Sequence, residues 1–181
     1  MRIGRKVKNK IADDRGISLV ELVVVIAIMA VMIGITSLGI GMMFSRDANY
    51  VAVRIDDTMT EARTLSMSSA GVYSFVLHID SNIDDQYVQI NRADAPGGTP
   101  TPYRTIKLEK NVTITTTGVT ADDDGNITIV FDKANGSVKQ VNGSKPASGA
   151  VYTFTVASNR NASNIKDVSL IATTGRHYTE K

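Results

Sequence analysis

The chain has no cysteine and no tryptophan, only two histidines, and 6% aromatic residues among 181 positions. Without cysteine there is no disulfide, no thiolate nucleophile and no cysteine-ligated zinc or iron–sulfur centre, so packing alone must hold the fold. His78 and His177 stand far apart in sequence, and no local serine, aspartate or glutamate pattern beside either marks a triad or a metal site. A phosphate-binding glycine loop is missing too, which excludes a P-loop ATPase. The acidic run DDDGN (122–126) brings Gly125 too early for a calcium loop of the EF-hand kind and reads as a solvated hairpin. Neither enzymatic activity, nor a metal, nor a cofactor is expected. Five N-x-S/T triplets, beginning at Asn111, Asn126, Asn135, Asn142 and Asn161, follow from a composition rich in Asn, Ser and Thr.

What is present begins with charge. The first sixteen residues carry six basic side chains (Arg2, Arg5, Lys6, Lys8, Lys10 and Arg15) against Asp13 and Asp14. The whole chain is only +2, so the rest is mildly acidic. Behind this basic head, residues 22–44 read LVVVIAIMAVMIGITSLGIGMMF, without one charged side chain. A helix of that length, at ~1.5 Å per residue, is long enough for a hydrocarbon core. Lys and Arg in front of such a run mark the cytoplasmic flank. A cleaved secretory signal is the alternative, although its apolar core is usually only ~7–15 residues.

Glu21 interrupts the start of this run. A carboxylate at membrane depth costs roughly 2.5–3.5 kcal/mol on insertion scales, so its presence calls for a reason. Gly34, Gly39 and Gly41 lie further along, where each glycine costs ~1 kcal/mol against alanine in a helix interior.

The helical pattern continues past the apolar run. Phe44, Ala48, Val51, Ile55, Met59, Ala62 and Leu65 recur at three- and four-residue steps, one stripe on one face. One continuous helix is expected from about Ile17 to Ala70, its first half transmembrane, with Gly71 as its C-terminal cap. After Gly71 the period becomes two. Strands are expected at 72–79, 86–90, 103–108, 111–116, 126–131, 136–141, 150–157 and 167–172, rich in Val, Ile, Thr, Tyr and Phe. Asp124-Gly125 and Asn135-Gly136 are hairpin dipeptides, and ADAPGGTPTP (93–102) is a loop. The fold class is α+β: a long N-terminal helix packed on a small antiparallel sheet domain.

A basic head, Gly16, Ile17, Ser18-Leu19-Val20-Glu21 and then a long apolar helix: these residues resemble a type IV prepilin. Bacterial type IV pilins and the pseudopilins of type II secretion share this signal. The resemblance implies a leader at 1–16, cleavage between Gly16 and Ile17 by prepilin peptidase, and N-methylation of the new Ile17 amine. The commonest first mature residue of the family is phenylalanine, so Ile17 is a mild departure. A transmembrane and assembly helix would occupy 17–44, and residues 45–181 would form the half-helix and β domain. The protein would sit in the inner membrane with its N terminus cytoplasmic and its β domain outside. Its partners would be other pilins in a helical fibre, prepilin peptidase and the inner-membrane assembly platform. In that setting Glu21 would neutralise the Ile17 ammonium of a neighbouring subunit and set register, since a buried charge is tolerated only when paired. The plainer alternative has Glu21 snorkel to the interface. The proline that often helps pilin helices melt in the fibre is missing here.

A second resemblance covers NITIVFDKANGSV (126–138) and DVSLIATTGRHY (167–178), read as a terminal strand. Both are similar to the H-type minor pseudopilins and the FimT-like minor pilins. Some FimT-like proteins bind DNA through Gly-Arg-x-Arg. Gly175, Arg176, His177 and Tyr178 match it without the second arginine, which leaves Arg176 and Lys181 as possible DNA contacts and DNA uptake as the alternative function.

Overall fold

The computed structural model describes residues 18–44, 46–80, 85–161 and 163–180, with the side chains of the first helix described to Gly34. The chain divides into two compact units, Met1–Gly41 and Met42–Lys181.

Helix α1 runs Leu19–Phe44, 26 residues. Among the described residues no helix is long and apolar enough to cross a membrane. Helix α2 runs Asp47–Ser68. The single helix expected from 17 to 70 is thus two helices. Arg46 between them is a bend whose backbone is still right-handed helical, φ −90° and ψ −28°, and it makes no side-chain cap bond. Asp47 follows in the first turn of α2, where an anionic side chain complements the positive end of the helix dipole. At the other end Ser69, in extended conformation, is the C-cap, and its N–H reaches Leu65 O at 3.0 Å. Gly71 is no left-handed cap. It is needed for close approach, since a Cβ there would lie 3.2 Å from Ala93 O.

Among the described residues nine strands follow: β1 (Val72–His78), β2 (Tyr87–Ala93), β3 (Thr101–Lys107), β4 (Val112–Thr117), β5 (Asn126–Phe131), β6 (Val138–Val141), β7 (Val151–Ser158), β8 (Ile165–Ile171) and β9 (Arg176–Glu180). They form two sheets, β3-β2-β1-β5-β6 and β4-β7-β8-β9, and every pairing is antiparallel. The expected small antiparallel domain is therefore a two-sheet structure. Asn135-Gly136 does join paired strands, β5 to β6. Asp124-Gly125 does not, because it carries the chain from β4 in one sheet to β5 in the other. The expected acidic hairpin is a crossover turn, closed locally by Gly125 N–H to Asp122 O (3.0 Å) and by Asp122 Oδ1 accepting from Asn126 N–H (2.8 Å).

Both sheets meet α2. Its stripe, Ala48, Val51, Ala52, Ile55, Met59 and Ala62, is fully buried, and it packs against strands of each sheet. Phe75, Leu77, Val88, Ile90, Ile127 and Ile129 supply the first sheet's half of that core, and Val112, Phe154, Val156, Val168 and Leu170 the second's. At ~1.5–3 kcal/mol for each large apolar side chain removed from water, this helix is the main common support of the two sheets. Val138 N–H to Ala172 O, 2.9 Å, adds a direct backbone tie between them.

Candidate assembly site

The N-terminal end of α1 is built on Ser18. Its carbonyl accepts the first helical bond, from Leu22 N–H at 3.0 Å, which makes Ser18 the N-cap and puts Glu21 three positions on, in the first turn. Ser-x-x-Glu is the spacing of a capping box, and an anionic side chain there complements the positive end of the helix dipole. Glu21 is exposed. So are the apolar side chains that follow it: Leu22, Val23, Val24, Val25, Ile26, Ile28, Met29, Val31, Met32 and Ile33. They lie all round the helix and are exposed. A soluble monomer rarely leaves an apolar patch larger than a few hundred Å². Among the described residues, Glu21 is the acidic side chain in the first turn of this apolar helix. The expected cleavage and methylation positions, Gly16 and Ile17, lie outside the described residues.

Of the C-terminal candidates, Arg176 begins β9, a strand that packs against α2. The segment expected as one strand through 178 turns back on itself instead. Gly175, at φ +64°, closes the turn with its N–H on Ile171 O (2.8 Å), and β9 then pairs with β8. A β-carbon at 175 would collide with Gly136 O. That carbonyl accepts from Arg63 Nε at 2.9 Å, and Arg63 Nη2 reaches Thr174 O at 3.2 Å. One guanidinium on α2 therefore ties the β5–β6 turn to the β8–β9 turn. A Cβ at Gly136, itself at φ +68°, would come within 2.7 Å of Arg63 Nε and Met67 Sδ. The two glycine-containing segments that resemble minor pseudopilins thus meet at one point. Arg63 was not singled out from sequence, where it reads as one more charge on the polar side of the stripe.

Arg176 is exposed, while His177 turns inward. Its Nε2 lies 2.7 Å from Thr60 Oγ1 and 3.9 Å from Asp56 Oδ1, and its Nδ1 is 3.2 Å from Gly175 O. Burial raises the Asp56 carboxyl above its ordinary value; His177 pulls it down and Asp57 adds to the rise. Tyr178, in the place of the second arginine, is exposed. Lys181, the other expected DNA contact, lies outside the described residues. The other histidine pairs its Nδ1 with Asn126 Oδ1 (2.9 Å) and stacks on Tyr87. Among the described residues no group of three His, Cys, Asp or Glu side chains could hold a metal ion.

The comparisons with known proteins bear on both ends. The family described as "Prokaryotic N-terminal methylation motif" matches residues 11–37, a stretch that includes Gly16, Ile17 and Glu21. No curated protein sequence matches the chain. Two crystal structures of the type IV minor pilin FimU from Pseudomonas aeruginosa are similar in fold. The first, in space group P21, is 16% identical with a TM-score of 0.52, covering 75% of this chain and 90% of that one. The second, in space group P65, is 17% identical with a TM-score of 0.50, covering 74% of this chain and 92% of that one. Residues 11–37 therefore carry an N-terminal methylation motif, and the chain shares its fold with these minor pilin structures.

Proposed function

We propose that the chain is a minor subunit of a type IV pilus or a type II secretion pseudopilus. It is made as a precursor, cut between Gly16 and Ile17 by prepilin peptidase on the cytoplasmic side, and methylated on the new Ile17 amine. Residues 1–16 are the leader, 17–44 the membrane anchor and assembly helix, and 45–181 the extracytoplasmic part. The observation that carries this reading is α1 itself. Its described apolar side chains are exposed, and the methylation motif spans its N-terminal end. In the bilayer, lipid covers that surface; in the fibre, other pilin helices do, delivered by the inner-membrane assembly platform.

Glu21 then has its reason. Packed among apolar helices it loses water, and an unpaired buried charge is strongly unfavourable. The Ile17 ammonium of a neighbouring subunit is a fixed partner, and the pair sets the axial register. The DNA-uptake alternative has less support in the sequence, because Tyr178 stands where the second arginine of the motif would be.

The test is the N-terminal sequence of membrane-extracted protein from cells with and without an active prepilin peptidase. A methylated Ile17 start that depends on the peptidase is expected. A Met1 start in both samples, or a cut near Gly41, overturns the proposal.

A further inference from the structure

Strand β5 runs from a turn with three aspartates to a groove rimmed by two lysines. Register fixes the ends: His78 lies opposite Asn126 at the start of β5, and Ser74 opposite Val130 near its finish, where Val72 faces Ala93. At that finish the loop 94–100 walls a groove of about 410 Å³ on the side of the sheet turned away from α2. Val72, Ala93 and Val130 line it with Pro96, and Lys139 stands at its rim. A smaller cavity beside it shares Val72, Pro96, Val130 and Lys139 and adds Lys133. Both lysines are exposed, and among the described residues neither meets a carboxylate. The acidic groups at this end are already engaged. Asp94 pairs with Arg92 at 3.1 Å, and Asp132 Oδ1 accepts from Ala134 N–H at 2.8 Å.

The turn at the start of β5 is held in shape by its own bonds. Gly125 O accepts from Ile79 N–H at 2.8 Å, and Asp122 Oδ1 accepts from the N–H groups of Asp124 (3.1 Å) and Asn126 (2.8 Å). Asp122 thus serves the turn. Asp123 and Asp124 are exposed, and among the described residues neither meets a lysine or arginine. The six residues of β5 set turn and groove roughly 17 Å apart, at ~3.3 Å per residue.

We propose that the groove takes the acidic turn of a second copy of this chain. A copy displaced along the direction of β5 sets its Asp123 and Asp124 against Lys133 and Lys139 of the next, with the turn over Val72 and Val130. Each copy uses two different patches, so the contact is heterologous and leaves one turn and one groove free at the ends of any row. It propagates and does not close. Exposed ion pairs are individually weak and are screened by salt, so the charges choose direction and register more than they supply strength. Tethering the copies through α1 supplies the local concentration such a contact needs. The inference thus names a partner for the subunit proposed above, and it rests on that reading for its setting.

The chain has no cysteine of its own, so introduced thiols report on one contact each. Full-length Asp123→Cys and Gln140→Cys chains, the second altered beside Lys139 in the groove, are expressed singly and together and treated in membranes with a short bismaleimide. Together they should give a cross-linked dimer several-fold above either alone. Raising salt to about 1 M, where the screening length is ~3 Å, should remove most of it. Adding Lys139→Glu to the groove copy should abolish the dimer, and adding Asp124→Lys to the turn copy should then restore it. A merely structural defect in one copy is not repaired by reversing a charge in the other. A dimer no stronger in the mixture than in the single samples overturns the proposal, and so does a charge exchange that fails to restore it. The N terminus of the same chains is sequenced in parallel, so a Met1 start sinks the prepilin reading while the cross-link is judged separately.

Discussion

Helices α1 and α2 follow one another in the chain, yet they solve opposite problems. α2 has one apolar stripe and buries it within its own domain: Val51, Ile55 and Met59 are wholly inaccessible, with Arg54, Asp57 and Glu61 elsewhere around it. α1 is apolar on all sides, and its described side chains remain exposed. The first pattern is satisfied by the chain's own sheets. The second leaves an apolar surface exposed among the described residues, with Glu21 in its first turn. A helix that folds the domain and a helix that leaves it can therefore be told apart by how far the apolar residues extend around the axis.

Four changes would break or sharpen this contrast. The largest effect is expected from Glu21→Ala. Fibre incorporation, measured on sheared material, should be lost, while peptidase processing and the melting temperature of residues 46–181 persist. If incorporation is unchanged, Glu21 merely snorkels to the interface. Next comes Met59→Ala in the buried stripe, with a loss of ~2–5 kcal/mol in chemical denaturation of residues 46–181, the usual range for cavity-forming truncations. A cost typical of surface sites would contradict the packing described here.

Arg63→Ala should cost less, roughly 1.5–3 kcal/mol for each hydrogen bond from a charged donor before solvent screening takes its share. Amide exchange should localise the damage to the turns at 132–137 and 172–176, and Arg63→Lys should not restore both bonds. The smallest change is expected from Asp56→Asn. Burial raises the Asp56 carboxyl in the folded state, so there the fold binds its proton more tightly than the unfolded chain does. Stability from this group is thus lost as pH rises through the carboxylate range. The variant should be the more stable protein at neutral pH, and that advantage should vanish in acid. A gain that grows in acid would reverse the assigned sign.

Much of the architecture could be read before any coordinates. The stripe from Ala48 to Ala62 was legible because a helix that buries one face must repeat every three or four residues, and the strands were legible because a half-buried strand alternates. The Ser18-x-x-Glu21 spacing was there to be read as a helix start as well. The helix break at Arg46 was not legible, because the apolar period runs straight through it. β9 was merged into β8 because alternation carries no sign of direction: the reversal rests on Gly175 adopting a positive φ, which another glycine in extended backbone would not reveal. The division into two sheets was equally hidden, since Asp124-Gly125 is the same dipeptide whether the strands it joins are paired or part company.

By itself the sequence determined the local things: an apolar helix, a methylation motif at its start, an amphipathic helix and a run of short antiparallel strands. These follow from neighbours along the chain, where period and composition act directly. Only the tertiary structure decided that Arg63, Gly136 and Gly175 meet, and that His177 faces α2 while Arg176 faces solvent. Those contacts join residues far apart in sequence, and their energies come from fit and hydrogen-bond geometry, which no local pattern encodes.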